Sequence, residues 1–251
     1  MPTSRPASDV AAVLELRARG FSDGETSRRT GVPVQTIRTW RQRGRTPESR
    51  PRRGDPPVDA GRLPSEQYAY LLGLYLGDGT VFRCGSTHLL RITLDEAYPG
   101  IIASCAAAIE AVRGRPPRVD ADRRGARCRH VISYWNQWPR VFPQHGPGRK
   151  HLRPIELAEW QQRYVHVQPG AFLRGLIHSD GWRGENRVRS KGREYSYPRY
   201  QFSNRSDDIR GLFTATCDRI GVRWRPWGRW HISVARRESV AILDSFIGPK
   251  R

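Results

Sequence analysis

Two aspartates are placed as though to share one reaction. Asp78 ends the stretch Leu71-Leu72-Gly73-Leu74-Tyr75-Leu76-Gly77-Asp78-Gly79, and Asp180, 102 positions later, ends Leu173-Arg174-Gly175-Leu176-Ile177-His178-Ser179-Asp180-Gly181. Each stretch reads as an apolar helical run closed by a glycine, the residue that most easily takes the left-handed conformation ending a helix. Small residues recur four apart, Gly73 with Gly77 and Gly175 with Ser179, so two such helices can cross with their backbones nearly touching. The crossing sets Asp78 beside Asp180. Bare carboxylates about 4 Å apart repel by about 4 kcal/mol at an effective dielectric of about 20, so one takes up a proton or both bind a cation. Oxygen-only ligation selects Mg2+ or Mn2+ over zinc, with phosphate oxygens and water completing the shell. The reaction such a site serves is phosphodiester hydrolysis.

The repeat runs well beyond the two stretches. Asp78 lies 72 residues before Lys150 in Gly146-Pro147-Gly148-Arg149-Lys150, and Asp180 lies 70 before Lys250 in Gly248-Pro249-Lys250. Between these landmarks, His130-Val131-Ile132-Ser133 and His231-Ile232-Ser233-Val234 begin 52 and 51 residues after their aspartates. A period of about a hundred residues marks a duplicated unit rather than a solenoid.

Both stretches resemble the LAGLIDADG motif of homing endonucleases, and two copies in one chain resemble the monomeric, pseudo-two-fold members; the likeness covers roughly residues 65 to 250. The resemblance implies an α+β fold, a duplicated αββαββα saddle, that cuts double-stranded DNA. It also implies a metal held at Asp78, Asp180, Gly77 and Ser179. Asp78, Asp180, Lys150 and Lys250 would then be catalytic, the lysines organising solvent and offsetting charge on the pentavalent phosphate. Leu76 and His178 stand where the motif has an acidic residue, outside the aspartate position. A helix-end histidine is the plainer reading of His178.

Each half reads as helix, two strands, helix, two strands, helix. In the first, a motif helix at 65–78 precedes strands near 80–84 and 88–94, a helix at 97–113, strands near 116–121 and 127–133, and a short helix near 134–142. In the second, the order is helix 170–180, strands 183–189 and 197–204, helix 206–220, strands 222–226 and 229–235, helix 237–246. The loop from Lys191 to Ser196 is longer than its counterpart. Pro226-Trp227-Gly228 is expected at a hairpin tip with Trp224 and Trp230 packed inward.

With 251 residues, 37% apolar content and eight tryptophans, the chain can bury a substantial core. Its formal charge of +20 comes almost wholly from arginine, since Lys150, Lys191 and Lys250 are the lysines among 44 basic residues. Arginine's planar fork suits phosphate oxygens and guanine edges, which favours a polyanionic partner. Candidate DNA contacts on the strands and their loops are Arg83 and Arg91, then Arg183, Arg187, Arg189, Lys191, Arg199, Arg223, Arg225 and Arg229; on a ribbon in the major groove, alternate side chains face the bases. Cys84, Cys105, Cys128 and Cys217 include no close pair, so neither a structural zinc site nor a disulfide framework is expected. No signal core or long apolar run occurs, and a cytoplasmic, nucleoid-associated monomer is expected, without membrane or small-molecule substrate. P-loop, G-x-S-x-G and HExxH motifs are missing. The Met1-Pro2 and Lys250-Arg251 ends also argue against intein splicing.

Ahead of the repeat, residues 1–42 read as a three-helix unit. Val10, Val13, Leu14 and Leu16 form one apolar face, Ser22 caps a second helix that Gly31 closes, and Pro33 opens a third with Val34, Ile37 and Trp40 inward. The stretch from Gly31 to Trp40 resembles the turn and recognition helix of resolvase and transposase domains, which implies that Gln35, Thr36, Arg38, Thr39 and Arg41 meet DNA. Residues 43–62 read as a flexible basic linker. Residues 63–150 and 169–251 are the two halves, joined by a connector at 151–168. The leading expectation is a metal-dependent endonuclease. The other is a DNA-binding regulator that keeps the saddle without cutting.

Overall fold

The computed structural model describes residues 7–43, 57–122, 125–190, 192–248 and 250. Two compact units separate between residues 56 and 57.

The first unit holds α1 (Ala7–Ala18), α2 (Asp23–Thr30) and α3 (Val34–Arg43). The Ser22 hydroxyl accepts from Glu25 N at 3.2 Å, and Gly31 ends α2 with φ of 67°. Val13, Val32 and Ile37 form the buried cluster, with Trp40 packed on it. Leu14 departs from the expected apolar face and is 43% exposed. It lies one position past Val13, about 100° around the helix from the buried stripe.

In the second unit each half runs helix, two strands, helix, two strands, helix. The first comprises α4 (Ser65–Asp78), β1 (Gly79–Cys84), β2 (Thr87–Asp95), α5 (Pro99–Arg113), β3 (Arg118–Ala121), β4 (Cys128–Tyr134) and α6 (Trp138–Val141). After the connecting α7 (Glu159–Val167), the second comprises α8 (Pro169–Asp180), β5 (Gly181–Ser190), β6 (Arg193–Ser203), α9 (Asp207–Arg219), β7 (Arg225–Trp227), β8 (His231–Val234) and α10 (Arg237–Asp244). The antiparallel sheets have matching strand orders, β1-β2-β4-β3 and β5-β6-β8-β7. The fold is therefore the expected duplicated α+β arrangement.

α4 is buried from Tyr68 to Leu76 without a break, the pattern of a helix enclosed on every side. It crosses α8 at the small residues: a Cβ added to Gly73 would lie 2.8 Å from Leu176 N and 2.9 Å from Gly175 Cα. One hydrophobic core spans both halves.

Two expectations needed revision, and the connector holds a helix that the sequence did not announce. Gly79 and Gly181 are not left-handed; their φ and ψ are −87° and 149°, and −108° and 168°. Glycine is required there because the strand doubles back on the helix, where a Cβ would meet Cα of Tyr75 or Ile177 at 2.5 or 2.6 Å. The connector contains α7, whose buried Gln161 masked an inward face; Gln161 Nε2 donates to the Tyr68 hydroxyl at 2.8 Å. The extra length near residue 191 lies in strands rather than a loop, since β5 and β6 stay paired out to Ser190 and Arg193. Within the expected linker, Ala60 is tied to α7, its carbonyl accepting from the Tyr164 hydroxyl at 3.0 Å. No helix among the described residues is long and apolar enough to cross a membrane.

Candidate active site

Helices that touch at Gly73 and Gly175 bring their C-terminal ends together, and the residues there are the two aspartates. Both line a groove that also takes in Gly77, Thr80, Lys150 and Asn204. A Cβ on Gly77 would lie 3.0 Å from Asp180 Oδ2, so the Asp180 carboxylate rests against the backbone of the opposite helix. Asp78 is pushed up to about 7, first by burial and then by the charge of Asp180. Asp180 is also raised by burial, but an amide opposes this: Asn204 Nδ2 donates to Asp180 Oδ2 at 2.6 Å. The amide is oriented by Ser206 N, which donates to Asn204 Oδ1 at 2.8 Å. The amide thus favours the ionised form of Asp180.

The lysines occupy matching places. Lys150 Nζ donates to the carbonyls of Tyr75, Leu76 (2.9 Å) and Gly77 (3.0 Å), and Lys250 Nζ to those of His178 (3.2 Å) and Gly181 (2.6 Å). Each ammonium thus closes the C-terminal end of one motif helix, where its charge also meets the negative end of the dipole. Burial brings Lys150 down to about 8, against the opposing pull of Asp180 and Asp78. Neither lysine is a free surface group. Ser179 Oγ is tied to its own helix, donating to the carbonyls of Gly175 and Leu176 at 3.1 and 3.0 Å. His178 is held neutral, brought down to about 4 by burial and by Lys250, and its Nδ1 lies 2.9 Å from the Tyr70 hydroxyl across the helix pair.

Strand alternation sorts the candidate arginines into two sets, since residues directly opposite share a face. The outer faces border the aspartate groove, through Thr80 of β1 and Ser203 and His231 of the second sheet. Arg91, opposite Thr80, lies on the outer face. So do Arg199 and Arg225, with Arg199 4.6 Å over the Trp227 ring and bonded to Ser233 Oγ at 3.0 Å. Arg223 joins them around a basic hollow, and Arg229 stacks 5.4 Å from Trp230. Arg83 shares the parity of buried Val81, and Arg183, Arg187 and Arg189 that of buried Tyr200. These four share the helix-side parity, although Arg83, Arg187 and Arg189 are exposed on it. Arg183 is committed there, donating to both Asp244 oxygens at 2.6 and 2.8 Å.

Lys191 lies outside the described residues. In the first unit, Gln35 and Arg38 are exposed and Thr36 and Thr39 half-buried, while Arg41 pairs with Asp23 at 3.3 Å. Trp227 is half exposed on β7, and Trp224 is packed against the core. Asn204 is the site residue that the sequence did not reveal. Its signal was a lone amide just past a strand, indistinguishable from a turn residue until register placed it.

No protein-family model matches the chain, and no curated protein does. Among solved structures, the LAGLIDADG meganuclease I-AabMI bound to uncleaved DNA is 10% identical, with a TM-score of 0.47 over 73% of this chain and 85% of that one. An I-DmoI variant in complex with nicked target DNA and manganese is 15% identical, with a TM-score of 0.47 over 74% and 97%. The N-terminal LAGLIDADG domain of DUF199/WhiA is 12% identical, with a TM-score of 0.44 over 76% and 89%. Likeness at this level leaves the function to be argued from this chain's own residues.

Proposed function

We propose that the chain is a LAGLIDADG-type endonuclease that hydrolyses phosphodiester bonds in double-stranded DNA. The observation that carries the reading is the juxtaposition of Asp78 and Asp180 at the foot of two crossed helices, in a groove bordered by the outer faces of two sheets.

The residues present fit a divalent cation. The acidic donors are oxygens, the pair is crowded enough to push Asp78 to about 7, and the nearby ammonium groups donate to helix-end carbonyls. Asp78 and Asp180 would hold Mg2+ or Mn2+, with the backbone of Gly77 and Ser179 beside them. When bound, the ion polarises a phosphoryl oxygen and makes water a competent nucleophile. Asn204 orients Asp180 and favours its ionised form. Lys150 and Lys250 hold positive charge beside the groove, where it offsets the charge that grows on phosphorus, and they fix the helix ends that carry the aspartates. Arg91, Arg199 and Arg225 meet the duplex on the outer faces, with Arg223 and Arg229 at the edge. The three-helix unit acts as a helix-turn-helix that adds a second DNA contact through Gln35, Thr36, Arg38 and Thr39.

The test is cleavage of a randomised duplex library with Mg2+ by the intact protein, Asp78→Asn and Asp180→Asn. Cutting by the intact protein, lost in both variants while binding persists, supports the nuclease. Tight binding without cutting by the intact protein would assign the chain to the non-cleaving regulators, a reading that the N-terminal three-helix unit also suits.

A further inference from the structure

At the end of the first sheet, Asp122, Cys128 and His130 each offer one ligand atom, and these atoms lie within 4.8 Å of one another. Oxygen, sulfur and nitrogen meet there because of the β3–β4 hairpin. Asp122 follows β3 and its N donates to the Cys128 carbonyl at 3.3 Å, which folds the aspartate over the start of β4. Ala126 N donates to Asp122 Oδ1 at 3.4 Å and closes the turn. Cys128 and His130 are two apart on one strand, so their side chains share a face.

The imidazole is already oriented as a metal-binding histidine would be. Thr93 stands opposite His130 on β2, with its Oγ1 3.0 Å from His130 Nδ1, and His130 Nε2 lies 3.0 Å from Asp122 Oδ2. Facing a carboxylate, Nε2 carries the ring proton and Nδ1 accepts from the Thr93 hydroxyl; on metal binding the tautomer exchanges, so that Nδ1–H donates to Thr93 Oγ1 and Nε2 becomes the ligand atom. Both side chains are mostly shielded, at 18% and 19% exposure, so the ligands are partly desolvated yet reachable. Asp95 stands opposite Cys128, and Glu96 beside it pairs with both Arg127 and Arg129.

The other half keeps the hydroxyl and the imidazole but lacks the thiol. Ser203 Oγ lies 2.5 Å from His231 Nδ1 at the equivalent register, and Arg229 holds the place two residues before the histidine that Cys128 holds in the first half. The cluster is thus particular to the first half rather than a by-product of the duplicated framework.

We propose that Asp122, Cys128 and His130 form a zinc site, separate from the aspartate pair, with its fourth position open to water. One thiolate, one imidazole and one carboxylate match Zn2+, whereas the all-oxygen pair at Asp78 and Asp180 suits Mg2+. On binding, the Cys128 thiol releases its proton to solvent, and Zn2+ takes the thiolate, the neutral imidazole and the carboxylate. The ion replaces the Asp122–His130 hydrogen bond and clamps the end of β3 to the start of β4. Spacing rules built on cysteine pairs overlook such a site because it uses a single thiolate.

Cobalt(II), then zinc, titrated into the metal-free full-length chain tests this. The expected result is a thiolate-to-cobalt charge-transfer band that saturates at one thiolate-bound cobalt per chain, displaced by zinc, absent in Cys128→Ser and His130→Gln, and retained in Cys84→Ser and Asp78→Asn. Thr93→Val, which removes the outer hydroxyl, should weaken zinc binding about 10–100-fold while leaving the band. Circular dichroism establishes that each variant is folded, and having two ligand variants keeps the test decisive if one fails to fold. Failure of the intact protein to bind zinc against a weak chelator would overturn the proposal, as would an unchanged cobalt band in Cys128→Ser.

Discussion

Asn204 donates to Asp180 at 2.6 Å, and the position equivalent to Asn204 in the first half is Leu94, a buried core residue. The equivalence follows from register: Gly79 pairs with Ile92 and Gly181 with Phe202, and the two residues in question lie two positions beyond these partners. A pseudo-symmetric site therefore holds two unlike carboxylates. Burial raises both carboxyls, and at Asp180 the amide opposes the rise; Asp78, pushed up to about 7, is only partly protonated near neutral pH.

Removing that amide should narrow the difference. In Asn204→Leu the hydrogen bond to a charged group is removed, worth about 1.5–3 kcal/mol, or roughly one to two pKa units. Carbon-13 NMR titration of the Asp180 carboxyl in metal-free protein is expected to move upward by that amount, and the acid limb of cleavage should move with it. An unchanged titration would mean that the amide does not set the charge.

Asp78 makes stability depend on pH. Its folded pKa, raised from 3.8 to about 7, means the folded state binds the proton more tightly. The stability from this group is fully present below about pH 4 and is lost as pH rises through about 7. Lys150, lowered to about 8, begins to lose its proton in the folded state above about pH 7 and there adds a slope of the opposite sign, so the comparison with Asp78→Asn at one pH isolates the aspartate better than the slope of the intact protein does. Asp78→Asn should therefore melt above the intact metal-free protein at pH 8, by at most about 4 kcal/mol for a shift of roughly three units. At pH 5 the gap should shrink, and saturating Mg2+ should narrow it at pH 8 by stabilising the intact protein alone. Equal melting of the two metal-free proteins at pH 8 would contradict the assignment.

Backbone contact at the helix crossing predicts a cost for a single methyl. A Cβ on Gly175 would lie 3.0 Å from both Gly73 Cα and Leu74 N, so Gly175→Ala must push the helices apart, at about 1–3 kcal/mol. Gly211, in α9 with open space around its Cβ position, provides the control, and Gly211→Ala should be stabilising by up to about 1 kcal/mol. Chemical denaturation measures both. Similar values for the two would show that the crossing tolerates separation.

The two arginine sets should differ in salt dependence. Arg91→Ala, Arg199→Ala and Arg225→Ala are each expected to reduce the log-log salt slope of duplex binding by about 0.9 for every phosphate left without its arginine. Arg187→Ala and Arg189→Ala, on the helix-side parity, should leave the slope unchanged. Fluorescence anisotropy across a salt series decides, and a shallower slope in the second group would place the duplex on the wrong face.

Much of the architecture was legible in the chain. The helix of α5 was readable because Pro99 can open it and Gly114, with φ of 77°, closes it; the motif helices were readable from their apolar runs and repeated glycines. What escaped was set by neighbours distant in sequence. Helix α7 went unseen because buried Gln161 is satisfied by Tyr68 and Gln144, partners that no local pattern announces. The conformation of Gly79 was misread for a similar reason: a glycine after a helix suggests a left-handed cap, and only the strand doubling back explains the extended geometry.

The sequence alone determined the duplication, the two motif helices, the pairing of Asp78 with Asp180 and the matching lysines, because these follow from periodic or repeated residues whose physics is local. Tertiary structure decided which carboxylate an amide supports, what each lysine grips and which arginines share a face with the groove. Those properties depend on burial, strand register and through-space charge, and all three exist only once residues far apart in the chain have been packed together.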